Sequence, residues 1–199
     1  MAQAAVFHAH DKPLELRSFD KPVPQGREVL VRVTYCTLCR SDLHTHAGRR
    51  NEPTPTILGH EIVGTIAAFG PEASHNNARG QAVQVGTRVT WSVAVGCGDC
   101  YYCELDLPQK CEKPWKYGHR RIAGEPTCGG LSDYVMLVPN TVWYAIPDSL
   151  PDRVAVLANC STDIAFLGRR SLTQSRKDAK KRKNSQRPLR LCVRLLSYP

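Results

Sequence analysis

Gly59-His60-Glu61-Ile62-Val63-Gly64-Thr65-Ile66-Ala67-Ala68-Phe69-Gly70 opens with a metal-binding residue type and runs on as an apolar, glycine-punctuated segment. A histidine offers a neutral imidazole nitrogen to a metal, and the adjoining glutamate can serve as an occasional oxygen ligand. Cys39 lies upstream, followed by Arg40, Ser41, Asp42 and His44; Cys160 lies far downstream. Two thiolates, one imidazole and an open fourth position would make a catalytic rather than a structural zinc site. A lone histidine before a strand is ordinarily a half-buried packing residue, but glycines at 59, 64 and 70 frame this one in an extended pattern.

Around this stretch the chain reads as many short strands. Leu14 to Pro24 is expected to be loop, because prolines stand at 13, 22 and 24. Glu28 to Tyr35 alternates as a strand with Val29, Val31 and Val33 on one face, and it delivers Cys36 and Cys39 beyond its C-terminal end. Ser41 to Ala47 is expected to form a short helix ended by Gly48. Residues 49 to 58 read as loop, Glu61 to Phe69 as strand, and Pro71 to Gly80 as a polar loop. Thr87 to Val95, Leu131 to Val138 and Val142 to Ile146 follow as strands. Pro151-Asp152 opens a helix through Ala158. Short strands divided by Gly and Pro point to a mainly β fold with a few helices, built as a partly open β-barrel.

The second motif is Cys97-x2-Cys100-x2-Cys103-x7-Cys111. Four thiolates this close can wrap one tetrahedral zinc, and a complete four-cysteine shell leaves no position for a substrate. The alternative is four unrelated buried or redox cysteines. Clustered cysteines in a reducing compartment more commonly bind metal. No second Cys or His pair follows at zinc-finger spacing.

These motifs resemble the signature of zinc-dependent, medium-chain alcohol dehydrogenases, over roughly residues 1–167. The resemblance implies a GroES-like catalytic domain at 1–167, with a structural-zinc lobe at about 96–112. It implies two zinc sites: a structural one at Cys97, Cys100, Cys103 and Cys111, and a catalytic one at Cys39, His60 and Cys160 with Glu61 as an exchanging neighbour. Asp42 is expected to hold the second nitrogen of His60. Ser41 is expected to take the hydroxyl proton of an alcohol and pass it to His44, and Arg40 to contact the cofactor pyrophosphate. Helix N-capping is the plainer reading of Ser41 and Asp42, and it is compatible with those roles. Cys36 matches a position that is not normally a ligand, and Cys128 reads as a buried thiol. Asp106 stands where the family often has glycine. Lys116-Tyr117-Gly118-His119 is similar to members linked with phosphonate breakdown. The implied activity is oxidation of a small alcohol or polyol to an aldehyde or ketone, with hydride transfer to NAD(P).

That hydride acceptor sits on a Rossmann domain opening with Gly-x-Gly-x-x-Gly. Gly168 is the last glycine of the chain, so no Rossmann domain is expected within it. Residues 168–199 read instead as a basic, disordered tail. From Arg169 onward there are 11 Lys and Arg against the single acid Asp178, whereas the rest carries 16 basic and 17 acidic residues. A uniformly basic, nucleic-acid-binding surface is therefore not expected. The alternative function is a non-catalytic, zinc-stabilised binding module whose tail contacts nucleic acid or a protein partner. A homodimer is a further expectation, through apolar surface left bare by the absent nucleotide domain. With 42% hydrophobic residues a sizeable core can form. No apolar run approaches the roughly 18 residues of a membrane span, and the N-terminus lacks a signal pattern, which leaves the cytoplasm as the expected location.

Overall fold

The computed structural model describes residues 1–105 and 107–160. Asp106 and the basic segment from Arg169 onward lie outside the described residues. In chain order the strands are β1 (Ala2–Phe7), β2 (Glu15–Phe19), β3 (Val29–Thr37), β4 (Thr56–Ile57), β5 (Glu61–Phe69), β6 (Arg88–Trp91), β7 (Ala94–Val95), β8 (Trp115–Lys116), β9 (Tyr134–Leu137) and β10 (Trp143–Ala145). The helices are α1 (Arg40–His46), α2 (Tyr101–Glu104) and α3 (Asp152–Ala155), with 3-10 turns at Pro108–Lys110 and Val156–Ala158. No helix among the described residues is long and apolar enough to cross a membrane.

The main sheet has the order β10-β6-β5-β3-β9, all antiparallel. A three-stranded sheet, β2-β1-β4, and the β7-β8 pair complete a mainly β, partly open barrel. The β3–β5 pairing shifts register between Leu30 and Val31 and again between Val33 and Tyr35. Such bulges bend and twist a strand pair, which lets two long strands wrap around a core.

β5 has the bounds expected from its sequence, and its continuous apolar character has a structural cause. Ile62 and Ile66 face the main core with Val89, Trp91 and Leu137, while Val63 faces a second cluster with Ile146, Ala155 and Val156. Both faces of the strand are covered, so polar alternation would be penalised there. Gly64 is required by close approach. A Cβ at this position would stand 2.4 Å from Val31 Cγ1 and 2.5 Å from the Arg32 carbonyl oxygen. Because a backbone atom blocks the space, Gly64→Ala is expected to cost about 3 kcal/mol, the upper part of the overpacking range. A urea denaturation curve showing an unchanged midpoint would count against this packing.

Three expectations are corrected. Leu14 to Pro24 is not all loop, because β2 pairs with β1 from Ala2↔Phe19 to Val6↔Glu15. It is a sheet edge that buries only Phe19, so its sequence carries no alternation. Residues 49 to 58 contain β4, paired with β1 through Val6↔Ile57. Thr87 to Val95 is two strands rather than one, broken at Ser92, whose N–H donates to the Val142 carbonyl. In β3, Val29 and Val31 face the main core with Val33 packed against it, as expected, and Leu30 is buried on the other face as well.

Candidate metal centres

The antiparallel pairing of β3 and β5 brings the end of one strand beside the start of the other. Thr37 pairs with Glu61 and Cys36 with Ile62, so the chain leaving β3 delivers Cys39 next to His60. Gly59 adopts φ +87° in this crowded turn, where a Cβ would lie 2.7 Å from Cys36 Sγ. Cys39 then caps α1, and its N–H donates to the Asp42 carboxylate at 2.9 Å.

Asp42 is almost completely buried, and three groups satisfy it. Its carboxylate also accepts the Gly59 N–H at 3.0 Å and lies 3.1 Å from His60 Nδ1. Burial opposes its ionisation, but the hydrogen bonds and charge of His60 win and hold its pKa below the ordinary value. The same pairing raises the pKa of His60 against burial. With Nδ1 engaged, Nε2 of His60 faces the other way, 3.3 Å from Ser41 Oγ. Ser41 and His44 lie three residues apart on α1 and so share a face. Arg40 is exposed at the first position of the helix.

Cys39, His60, Glu61 and Cys160 converge, with one donor atom from each within 4.8 Å of the others. The Cys160 N–H donates to Glu61 Oε2 at 3.0 Å. Burial first, and then the negative charge of Cys39 and Glu61, pushes the Cys160 thiol up to about 11. Cys39 moves the other way: although burial opposes it, hydrogen bonds from Ser41 and His60 lower its pKa. Two thiols and a carboxylate in one half-buried space repel one another when ionised, and a divalent cation relieves that repulsion. The donor chemistry therefore fits zinc.

A second group joins Cys97, Cys100, Cys103 and Cys111, with Sγ···Sγ distances of 3.5 Å for Cys97–Cys111, 3.9 Å for Cys100–Cys111 and 4.0 Å for Cys97–Cys103. These are far beyond a disulfide bond, and all four cysteines are free. Four sulfurs at zinc–thiolate bond length around one ion would sit about 3.8 Å apart. Backbone N–H groups of Cys97 and Lys113 donate to Cys111 Sγ at 3.3 and 3.4 Å. Backbone N–H groups of Glu112 and Cys103 bring Cys100 down to about 6.

Cys36 and Cys128 stand outside both groups. Burial pushes Cys36 up to about 12, and Cys128 donates its thiol to the Arg120 carbonyl at 3.4 Å. His119, noted in the sequence only as part of Lys116-Tyr117-Gly118-His119, is a participant whose place beside His60 the sequence did not indicate. Its buried ring lies beside that of His60, with centroids 4.7 Å apart and the planes tilted by 42°, and Gly118 before it packs against the Gly59 carbonyl. Asp42, His60 and His119 also lie close enough to hold an ion, but the hydrogen bonds already on Asp42 make this a positioning network instead.

Burial, followed by the charges of His60 and Arg50, pushes His119 down to about 4. An unfolded histidine titrates near 6.5, so the buried neutral ring contributes its full stability above about pH 6.5. That contribution is lost as the pH falls toward 4. His119→Gln, which cannot be charged, is expected to move the acid-unfolding midpoint to lower pH; circular dichroism during acid titration would show the shift.

The chain matches the alcohol dehydrogenase GroES-like domain family over residues 25–148. It is 34% identical over 145 residues to an alcohol dehydrogenase of Geobacillus stearothermophilus, covering 70% of this chain and 41% of that protein. It is 33% identical over 165 residues to the D-arabinose 1-dehydrogenase (NADP(+)) of Saccharolobus solfataricus, covering 81% and 43%. The fold aligns with the crystal structure of a Thermotoga maritima alcohol dehydrogenase at a TM-score of 0.73 and 28% identity, over 81% of this chain and 45% of that one. An Escherichia coli CFT073 alcohol dehydrogenase complexed with NADH aligns at a TM-score of 0.64 and 27% identity, over 78% and 41%. The chain thus spans about two-fifths of the length of the curated relatives it matches. Its barrel, its cysteine lobe and its matched sequence identify the chain as a member of the alcohol dehydrogenase GroES-like domain family.

Proposed function

We propose that this chain carries the catalytic zinc domain of an alcohol dehydrogenase that oxidises a small alcohol or polyol to an aldehyde or ketone. The observation that carries the reading is the convergence of Cys39, His60, Glu61 and Cys160 beside Ser41. Cys39, His60 Nε2 and Cys160 would hold the catalytic zinc, with Glu61 adjoining. When bound, that zinc supplies Lewis acidity that makes an alcohol hydroxyl more acidic.

The protein's own groups divide the remaining work. Asp42 keeps the His60 proton on Nδ1 and presents Nε2 to the site. The Ser41 hydroxyl accepts the substrate's hydroxyl proton and hands it to His44, which is half-buried one turn further along α1. A nicotinamide cofactor, when bound, would supply the hydride acceptor, and the exposed Arg40 would offer a cation to its pyrophosphate. The four lobe cysteines would hold a second zinc that takes no part in the chemistry. Among the described residues no βαβ unit accompanies the barrel, and Arg40 is the one described residue assigned to the cofactor.

Metal analysis of the purified chain tests this reading. Zinc content is expected to drop by one ion per chain in Cys39→Ser, and NADH fluorescence titration measures cofactor binding independently. An unchanged zinc content in Cys39→Ser would overturn the assignment of the catalytic site.

A further inference from the structure

Cys160 is separated from Glu61 by 99 residues, and its place at the metal depends on how the segment before it is fastened. β6 does the fastening. Val89 and Trp91 point into the main core, so Arg88 and Thr90 emerge on the opposite face, against residues 150–159. Arg88 grips the start of that segment. Its guanidinium donates to Asp152 Oδ1 at 2.5 and 3.0 Å and to the Leu150 carbonyl at 2.6 Å.

Thr90 meets the segment's other end. Its hydroxyl contacts Oδ1 of Asn159, the residue immediately before Cys160, and lies 3.2 Å from the Ile62 carbonyl. Thr90 is buried, Asn159 is only 1% exposed, and Asn159 Nδ2 has no hydrogen-bond partner among the described residues. One hydroxyl proton cannot serve two acceptors fully. Turning the amide lets Nδ2 donate to Thr90 Oγ1 while Thr90 donates to Ile62. The resulting chain of bonds runs from Asn159 through Thr90 to Ile62, two residues after His60.

We infer that Thr90 and Asn159 are positioning residues that latch Cys160 onto the catalytic zinc site. This inference rests on the functional reading above. The Cys160 backbone is then held at two points: its own N–H on the Glu61 carboxylate, and the preceding side chain on Thr90. Both anchors lie in the strand pair β5–β6, and His60 immediately precedes β5. The latch thus ties the most distant ligand to the scaffold of the nearest one.

Competition for zinc by a chromophoric chelator tests the latch, using the zinc-loaded chain. The parent is expected to give up its zinc in two steps, the weaker from the open three-residue site and the stronger from the four-cysteine lobe. Thr90→Val, which is isosteric, and Asn159→Ala are each expected to weaken the first step about 10–100-fold and leave the second unchanged. Thr90→Ser keeps the hydroxyl and should match the parent. A role confined to stability would instead lower the melting temperature with both affinities intact, and that result overturns the latch. Loss of both zincs in both variants overturns it as well, since the latch acts on one site. A parent with a single zinc would contradict the functional reading itself, which separates the two failures.

Discussion

His60→Ala is expected to abolish zinc at the Cys39–His60–Cys160 site and to lower the melting temperature of the chain by about 9 °C. The stability loss comes from Asp42, whose side chain is 1% exposed and lies against the imidazole. Removing one partner of a buried pair leaves the other charge without compensation. The penalty is about 3 kcal/mol, the low end of the usual range, because the carboxylate keeps its bonds from the Cys39 and Gly59 N–H groups. In a domain of this size each kcal/mol moves the midpoint by about 3 °C. His60→Gln can still donate to Asp42, so it should recover much of the stability while the zinc stays absent. A melting point for His60→Ala within 2 °C of the parent would mean that the pair contributes little, by the same conversion.

Cys111→Ser should remove the other zinc and unfold the lobe while the barrel persists. Cys111 is buried, and its sulfur accepts two backbone N–H groups. The lobe has little else to hold it. α2 is four residues long, and β7 and β8 have two residues each. Helices shorter than about 12 residues and isolated two-stranded hairpins are marginal in water. Binding of structural zinc contributes about 10–16 kcal/mol in small peptide sites, far more than these elements can supply. The expected result is one zinc fewer per chain and rapid proteolysis within residues 97–116. Zinc content falling by one with the lobe still protease-resistant would show that packing against the barrel, such as that of Tyr117, suffices.

Tyr117 illustrates how the lobe is joined to the barrel. Its ring is wholly buried, and its hydroxyl contacts Thr141 Oγ1 at 2.7 Å and accepts the Val138 N–H at 2.9 Å. A buried aromatic whose polar tip is satisfied anchors more firmly than either half alone. Deep burial raises the phenol pKa, despite the bonds from Thr141 and Val138 that favour ionisation, so the hydroxyl stays protonated.

Local patterns in the sequence carried much of this protein. The spacing of Cys97, Cys100, Cys103 and Cys111 requires only that a short loop close on itself, and the structure gathers those sulfurs. The apolar run after His60 has the length of β5 to the residue, because a strand covered on both faces leaves a continuous apolar trace. Asp42 was legible for a similar reason: capping geometry three residues into a helix is a local property. β2 was not legible, since an exposed edge strand with the sequence Glu-Leu-Arg-Ser-Phe imposes no pattern on its residues.

What the sequence alone determined, then, was the mainly β barrel and the four-cysteine lobe, written in short-range spacing, while the donor set around His60 came from the family resemblance. Only the tertiary structure decided which distant residues join them. Cys160, which the family resemblance had already assigned to the site, reaches Glu61 across 99 residues; Thr90 reaches Asn159 across 69, and the His119 ring sits beside that of His60. Strand pairing and burial create those neighbours. Neither leaves a periodic trace, because a single buried contact constrains one residue on each partner and nothing between them.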